Sequence, residues 1–371
     1  MAAFPHRYEQ QGWQAVADKL GLTFELASQA KNSQPYDGRS PCVAYTSCEA
    51  CPSGARYSAD FHIRKIENDD NCTLLTETIA RRIEINNLGT VTAIHASGLD
   101  GRDYEIKASQ YVIAAHGIET PRILLLSNIG NNSDQVGRYL QEHWYPAAGG
   151  YHPTDIEFPS RIGFETSECN NFYDGAERHD RGAIRIEFWN RFDPLNKASQ
   201  LGLWGKERAE YDCKHFGHWI SLAAEIEHQP NPESRVTLDP NLKDLFGDPI
   251  PHVNFAISDI DRRTHERAHQ ILETLLGSRG VPNIERTHNF AKAFHHMGTC
   301  RMHDDPALGV VDRKCRVHGT DNLYIAGSSV FPTSGARQPT LTIAALAIRL
   351  GEHLVSAISG KNYGYTANSK Q

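Results

Sequence analysis

The sequence predicts an α/β plus α+β chain: an incomplete Rossmann-like dinucleotide-binding domain with an antiparallel sheet inserted into it. Three observations carry this. Tyr111-Val112-Ile113-Ala114-Ala115 is an apolar run without alternation, as a strand buried on both faces would be. Leu323-Tyr324-Ile325 is a second such run, and it stops at Ala326-Gly327-Ser328-Ser329. Between them, from Gly149 to Pro282, aromatic and charged residues alternate as in a sheet with one wet face. The domain reads as incomplete because nothing in the first hundred residues supplies the G-x-G-x-x-G turn that receives a dinucleotide's pyrophosphate.

From the N-terminus, Glu9 to Gly21 sets Trp13, Val16, Ala17 and Leu20 at helical spacing, with Gly21 as the C-cap. A Pro- and Gly-punctuated extended segment, Gln34 to Pro41, leads into a cysteine cluster. Cys72 to Asn86 reads as a strand, Asn87-Leu88-Gly89 as a turn, and Val91 to Ala96 as a second strand. Asp100-Gly101 marks a hairpin into Tyr104 to Ala108. After the run at 111–115, a helix is expected over Arg122 to Ser127, opening with Pro121 near its first position. A strand, a tight turn and a helix N-terminus can cradle an anionic or ribosyl group, although many such units hold no ligand. In the inserted region Ile184 to Trp189 and His218 to Glu227 read as strands, and Asp259 to Leu276 as a helix. Leu341 to Leu354, interrupted by Arg349, Glu352 and His353, reads as a core helix rather than a bilayer span. The resulting division is 1–148 for the first part of the cofactor domain, 149–285 for the sheet domain and 286–371 for the second part.

Bulk composition narrows the function classes. Hydrophobic residues make up 39% and charged residues 22% of the 371 positions, as in an ordinary globular protein. A net charge of −7 and the lack of any basic block argue against a nucleic-acid partner. Met1 to Gln10 holds no apolar signal core, which leaves a cytoplasmic location or export together with a partner. Of eight cysteines, Cys42, Cys48 and Cys51 form C-x5-C-x2-C-P. Thiolates so spaced can grasp one metal centre, and a trailing proline is common beside iron–sulfur ligands. Three unligated thiols, or a zinc completed by His62 or Cys72, are the alternatives. Cys72, Cys169, Cys213, Cys300 and Cys315 read as buried thiols.

The ordered set Pro35-Tyr36-Asp37-Gly38-Arg39, Cys51-Pro52-Ser53-Gly54-Ala55-Arg56-Tyr57-Ser58, Ala114-Ala115-His116-Gly117-Ile118-Glu119-Thr120-Pro121, Val136-Gly137-Arg138-Tyr139-Leu140-Gln141-Glu142-His143 and His295 to Leu354 resembles one family. It is the glucose–methanol–choline (GMC) family of flavin-dependent alcohol oxidoreductases, and within it the sugar and sugar-acid dehydrogenase branch. The resemblance implies FAD, and oxidation of a sugar or polyol CH–OH to a carbonyl. The base that takes the hydroxyl proton is then His295, in H-x-x-G-T, with His296 its neighbour. Outside that motif either histidine would read as a hydrogen-bonded structural one.

The family's second site position, a His or Asn, is Gln338 here, either a hydroxyl positioner one methylene longer or a helix cap. Ala326, Gly327 and Ser328 would meet the ribityl–pyrophosphate region, where Gly327 allows close backbone approach. Pro339 and Thr340 would turn helix amides to the flavin's pyrimidine edge. Ala115 and Glu119 lie in the second strand–helix turn, where His116 tolerates left-handed backbone. Ala80 corresponds to an adenine contact or is an ordinary strand residue. Cys42, Cys48 and Cys51 would hold a [3Fe-4S] cluster relaying electrons to a small subunit or cytochrome. Without the pyrophosphate turn, this chain alone is expected to bind FAD weakly and to associate. The competing expectations are a catalytically impaired fragment or accessory subunit of a multi-chain dehydrogenase, and an electron-transfer module keeping only the cysteines.

Overall fold

The computed structural model describes residues 1–4, 12–43, 51–154, 167–188, 201–215 and 218–359. In chain order the elements are α1 (Gln14–Leu20), β1 (Thr78–Ile85), β2 (Val91–Gly98), β3 (Asp103–Ile106), β4 (Tyr111–Ile113), α2 (His116–Ser127), β5 (Ala147–Tyr151), β6 (Ser167–Cys169), β7 (Ile184–Glu187), β8 (Trp219–Glu227), β9 (Arg235–Lys243), β10 (Pro249–Asn254), α3 (Asp259–Arg279), β11 (Leu323–Ile325) and α4 (Thr340–Ser359), together with further helices and bridging strands. They fall into two compact units. One comprises residues 1–74, 144–227 and 259–293, the other 75–143, 228–258 and 294–371.

The first unit is built on an antiparallel sheet. β8 lies between β5 and β7, with Ser221 opposite Gly149 and Ala224 opposite Ile186, and β6 pairs with β7. α3 buries Ala268, Ile271, Leu272, Leu275 and Leu276 along one face, an apolar stripe at helical period. α1 ends at Gly21 in the left-handed region, φ 65°, as the spacing predicts, and buries Val16 and Ala17. Among the described residues the wet face expected of this sheet is absent. All of β7 is buried, and so is β8 from Leu222 to Glu227. The charged members of the alternation turn inward and satisfy one another. Arg185 donates to Glu168 at 2.8 Å, to Glu225 at 2.9 Å and to Glu187, which also accepts from the Tyr145 hydroxyl.

In the second unit β1, β2 and β3 form an antiparallel meander, and β9 and β10 a hairpin. β4 and β11 run parallel, with Leu323 opposite Tyr111 and Ile325 opposite Ile113. Their side chains join Leu124, Val310, Val311 and Val317 in the core. The strand expected from Cys72 starts at Thr78, and the hairpin at Asp100-Gly101 forms as read.

The structure corrects four further expectations. β4 is not buried on both faces: it pairs with β11 alone among the described strands, and Val112 is 42% exposed. α2 begins at His116, not Pro121. His116 takes φ 47° to turn the chain, and Pro121 sits inside the helix. α4 is not a core helix. It packs Ile343, Leu346, Leu350 and Leu354 inward, but only Leu350 is fully buried, and Leu341 (81% exposed), Ile348, Val355 and Ile358 face outward. Its apolar period is real, yet nothing among the described residues covers the second stripe. Running on to Ser359, α4 is long and apolar enough to cross a bilayer by length and composition, a test that core helices also pass. Finally, only three of the five scattered cysteines are buried. Cys213 is exposed and Cys72 half-buried, whereas burial pushes the thiols of Cys169 (to about 11), Cys300 and Cys315 upward.

Candidate active site

The site grows from two segments of the second unit that zip together. Gln141 and Met297 exchange backbone hydrogen bonds at 2.9 and 3.0 Å, aligning Gln141-Glu142-His143 beside His295-His296-Met297. Leu140, Gln141, Glu142 and His143 are all 0% exposed, so each polar group there must be satisfied inside the protein. Glu142 ties the segments together. Its Oε1 accepts the backbone N–H of His143 at 2.8 Å and of His295 at 2.6 Å, while Oε2 lies 3.5 Å from His296 Nε2. The His143 and His295 rings meet edge-on, Nδ1 to Nδ1, at 3.0 Å.

The motif is also clasped to the end of β11 and the start of α2. Gly298 donates its N–H to the Ser328 carbonyl at 3.1 Å, Ser328 donates its hydroxyl to the His296 carbonyl at 2.6 Å, and Cys300 donates to the Ser329 carbonyl at 2.8 Å. Ala326 donates to the Ile113 carbonyl at 2.9 Å, so the β4–β11 register carries through to this edge. Gly327 has φ 129°, a conformation glycine tolerates, and nothing comes within 4 Å of where a Cβ would project. A Cβ on Gly117, in the first turn of α2, would meet the His296 carbonyl oxygen at 2.6 Å. The His116 ring centroid stands 6.4 Å from that of His296, and its Nδ1 accepts the Ile118 N–H at 3.1 Å. The H-x-x-G-T stretch, the Ala326–Ser329 edge and the α2 N-terminus thus converge. An imidazole held in that convergence can take a proton.

The other residues singled out in the sequence are more scattered. Ala115 is half-buried as the N-cap residue of α2, and Glu119 pairs with Arg122 at 3.1 Å. Pro339 is buried, Thr340 opens α4, and Gln338 precedes them, exposed. Ala80 is an exposed residue of β1 opposite Ala96 of β2. Cys42 and Cys51 lie in the first unit, and Cys48 lies outside the described residues. Among the described residues neither Cys42 nor Cys51 belongs to a trio of metal-type side chains. Burial opposes ionisation of the Cys51 thiol, but the Arg56 N–H at 3.4 Å and the Ser53 hydroxyl outweigh it and draw the thiol down to about 7. Cys51, Arg56, Tyr57 and Phe61 line a cavity of about 370 Å³.

Sequence reasoning missed Glu142, His143 and Thr299 as parts of the site. The available signal was Gln-Glu-His set between Leu140 and Trp144, a polar triplet bounded by large apolar residues.

A flavoenzyme-like motif clasped to a parallel strand end now has independent company. The sequence matches the N-terminal and C-terminal models of the GMC oxidoreductase family over residues 5–145 and 230–347. The chain belongs to the GMC oxidoreductase family. It is 30% identical over 368 residues to the fructose dehydrogenase large subunit of Gluconobacter japonicus, covering 96% of this chain and 67% of that one. It is 23% identical to the gluconate 2-dehydrogenase flavoprotein of Pantoea cypripedii, covering 91% of this chain and 61% of that one. Among solved structures, an Aspergillus oryzae formate oxidase variant studied for FAD modification matches with a TM-score of 0.61 at 19% identity, over 84% of this chain and 64% of that one. That likeness shows a shared fold, and the chain spans about two thirds of these relatives' lengths.

Proposed function

We propose that the chain carries the base-bearing part of an FAD-dependent oxidoreductase acting on CH–OH groups of sugars or polyols. Its relatives' names and the family support this reading. The residues that would hold the cofactor are Ala115, Glu119, Ala326, Gly327, Ser328, Pro339 and Thr340, with Ala80 toward its adenine end. The open approach beside Gly327 and the α2 N-terminus suit a large polar ligand lying against backbone. FAD, when bound, accepts the substrate's hydride. His295 takes the hydroxyl proton, and Gln338 orients the hydroxyl by hydrogen bonding. The observation that carries the reading is the clamp on His295, pinned through its backbone by buried Glu142 and through its ring by His143. Stopped-flow reduction of the flavin-loaded protein by a panel of sugars and polyols tests it. His295→Gln should slow reduction by roughly 10²- to 10⁴-fold while the fold is kept. An unchanged rate refutes it.

The same reading gives Cys42, Cys48 and Cys51 to a three-iron cluster that passes electrons to a small subunit or cytochrome. The support is the sulfur of Cys51, which accepts the Arg56 N–H at 3.4 Å and lies 3.5 Å from the Ser53 hydroxyl. Iron and acid-labile sulfide in anaerobically purified protein test this. A second reading, an accessory subunit of a multi-chain dehydrogenase, is favoured by the uncovered apolar stripe of α4. A colourless, well-folded protein supports it, and flavin absorbance supports the enzyme.

A further inference from the structure

We infer that His143 is the positioning residue of the base: it fixes which ring nitrogen of His295 carries the proton. The inference rests on His295 being the base proposed above. The two Nδ1 atoms stand 3.0 Å apart, and a hydrogen bond between them needs a proton on one and a lone pair on the other. Two neutral imidazoles therefore have only two arrangements. If His143 donates, the neutral His295 keeps its proton on Nε2 and cannot accept there. If His295 donates, its Nε2 lone pair is the base. Only the second serves proton abstraction, so a base at His295 requires it of this pair.

The arrangement also suits the charge that proton abstraction creates. When the substrate O–H bond breaks and the proton moves to Nε2 of His295, as the hydride leaves carbon for the flavin, His295 becomes a cation. Its Nδ1–H then makes a charge-assisted bond to the neutral His143 ring, stronger than the bond before transfer. Two imidazolium rings this close repel, so the pair binds its first proton far more readily than a second. Glu142 keeps the rings in register. It accepts the backbone N–H of both histidines on one oxygen, and it is 0% exposed. His143, equally buried, has little freedom to swing away.

Histidine ¹⁵N NMR on the full chain, with His295→Gln as the assignment control, reads the tautomer directly and needs neither flavin nor substrate. At neutral pH the unaltered protein should show His295 protonated at Nδ1 and unprotonated at Nε2. In His143→Asn the Oδ1 atom can accept in place of Nδ1, so the same pattern should persist. In His143→Leu the Nε2–H form should appear, and in the flavin-loaded protein kcat should fall tenfold or more with KM little changed, recovering in His143→Asn. A His295 that carries its proton on Nε2 in the unaltered protein overturns the inference. So does a tautomer unchanged by His143→Leu. If His295→Gln leaves flavin reduction intact while the tautomer still follows His143, the pair stands and the base assignment falls.

Discussion

Thr299 donates its hydroxyl to the Gly117 carbonyl at 2.7 Å, and that carbonyl is the one Pro121 leaves without an intrahelical donor. Where a helix buries a proline in its interior, the acceptor four residues back needs another donor. Here the taker belongs to the H-x-x-G-T motif, so the oddity of α2 and the placement of His295 are one construction. Thr299→Val keeps the volume but leaves a buried acceptor bare, and it should cost about 1–3 kcal/mol by urea unfolding. Thr299→Ser should recover most of the loss. A Val variant as stable as the parent would show that the bond is incidental.

Gly298 is the tighter constraint on the same motif. Its φ of 85° disfavours any side chain, and a Cβ there would lie 2.3 Å from the Tyr139 carbonyl oxygen. Backbone strain and overpacking act together, so Gly298→Ala should cost about 2–4 kcal/mol and move His295 off its partner. Loss of the His295–His143 ring bond in the ¹⁵N spectrum, alongside a lowered thermal midpoint, would report both effects.

Much of this was legible in residue order. Alternation and turn chemistry located β1 to β3, the apolar runs located β4 and β11, and the Gly21 cap ended α1 as read. What failed did so where long-range contacts overrode a local rule. Pro121 marks a helix start by propensity, but Thr299, far away in sequence, supplies what lets it sit inside. The charges between apolar residues of β7 and β8 look like a solvated face, yet Arg185 has carboxylate partners on other strands. His143 could be noticed in its Gln-Glu-His setting, but its role depends on a ring 152 positions away, a pairing no period encodes.

Arg185 shows what that buried network demands. It is 2% exposed and bonds three carboxylates, themselves buried. Replacing it with Met removes the countercharge and leaves the acids in a low-dielectric interior. Arg185→Met should therefore destabilise by about 3–5 kcal/mol. Arg185→Lys should recover only part, since one ammonium cannot reproduce the planar fork. Chemical denaturation followed by tryptophan emission measures both, and near-parental stability of the Met variant would contradict this account.

His265 and His269 on α3 should make the first unit acid-sensitive. Burial lowers both, and the neighbouring His265, Arg286 and His288 help hold His269 down at about 4, against a small opposing pull from Glu266. Among the described residues neither nitrogen of the His269 ring has a hydrogen-bond partner. The unfolded chain takes up these protons near 6.5 and the folded chain takes up the His269 proton only near 4, so between those values the unfolded state holds more protons. Stability should then fall as pH falls through that window, by up to roughly 3 kcal/mol for His269, and be unaffected by this group above about 7. His269→Leu should flatten the slope of unfolding free energy between about pH 6.5 and about pH 4.5. A slope identical to the parent's would place the acid sensitivity elsewhere.

The outer stripe of α4 sets the solution behaviour. Leu341, Ile348 and Val355 recur every seven residues and are 81%, 63% and 50% exposed, with Ile358 one turn beyond at 65%. A helix seam of that period is the pattern by which helices pair, and water alone is a poor neighbour for it. The chain by itself should therefore associate at micromolar concentration, which sedimentation velocity will detect as a mass that rises with loading. Leu341→Glu with Ile348→Lys places charges on the stripe without touching Leu350 or the inward face, so association should vanish while the melting temperature changes by no more than a few degrees. Association that persists in the double variant would mean that another surface, such as the exposed face of β4 at Val112, holds the copies together.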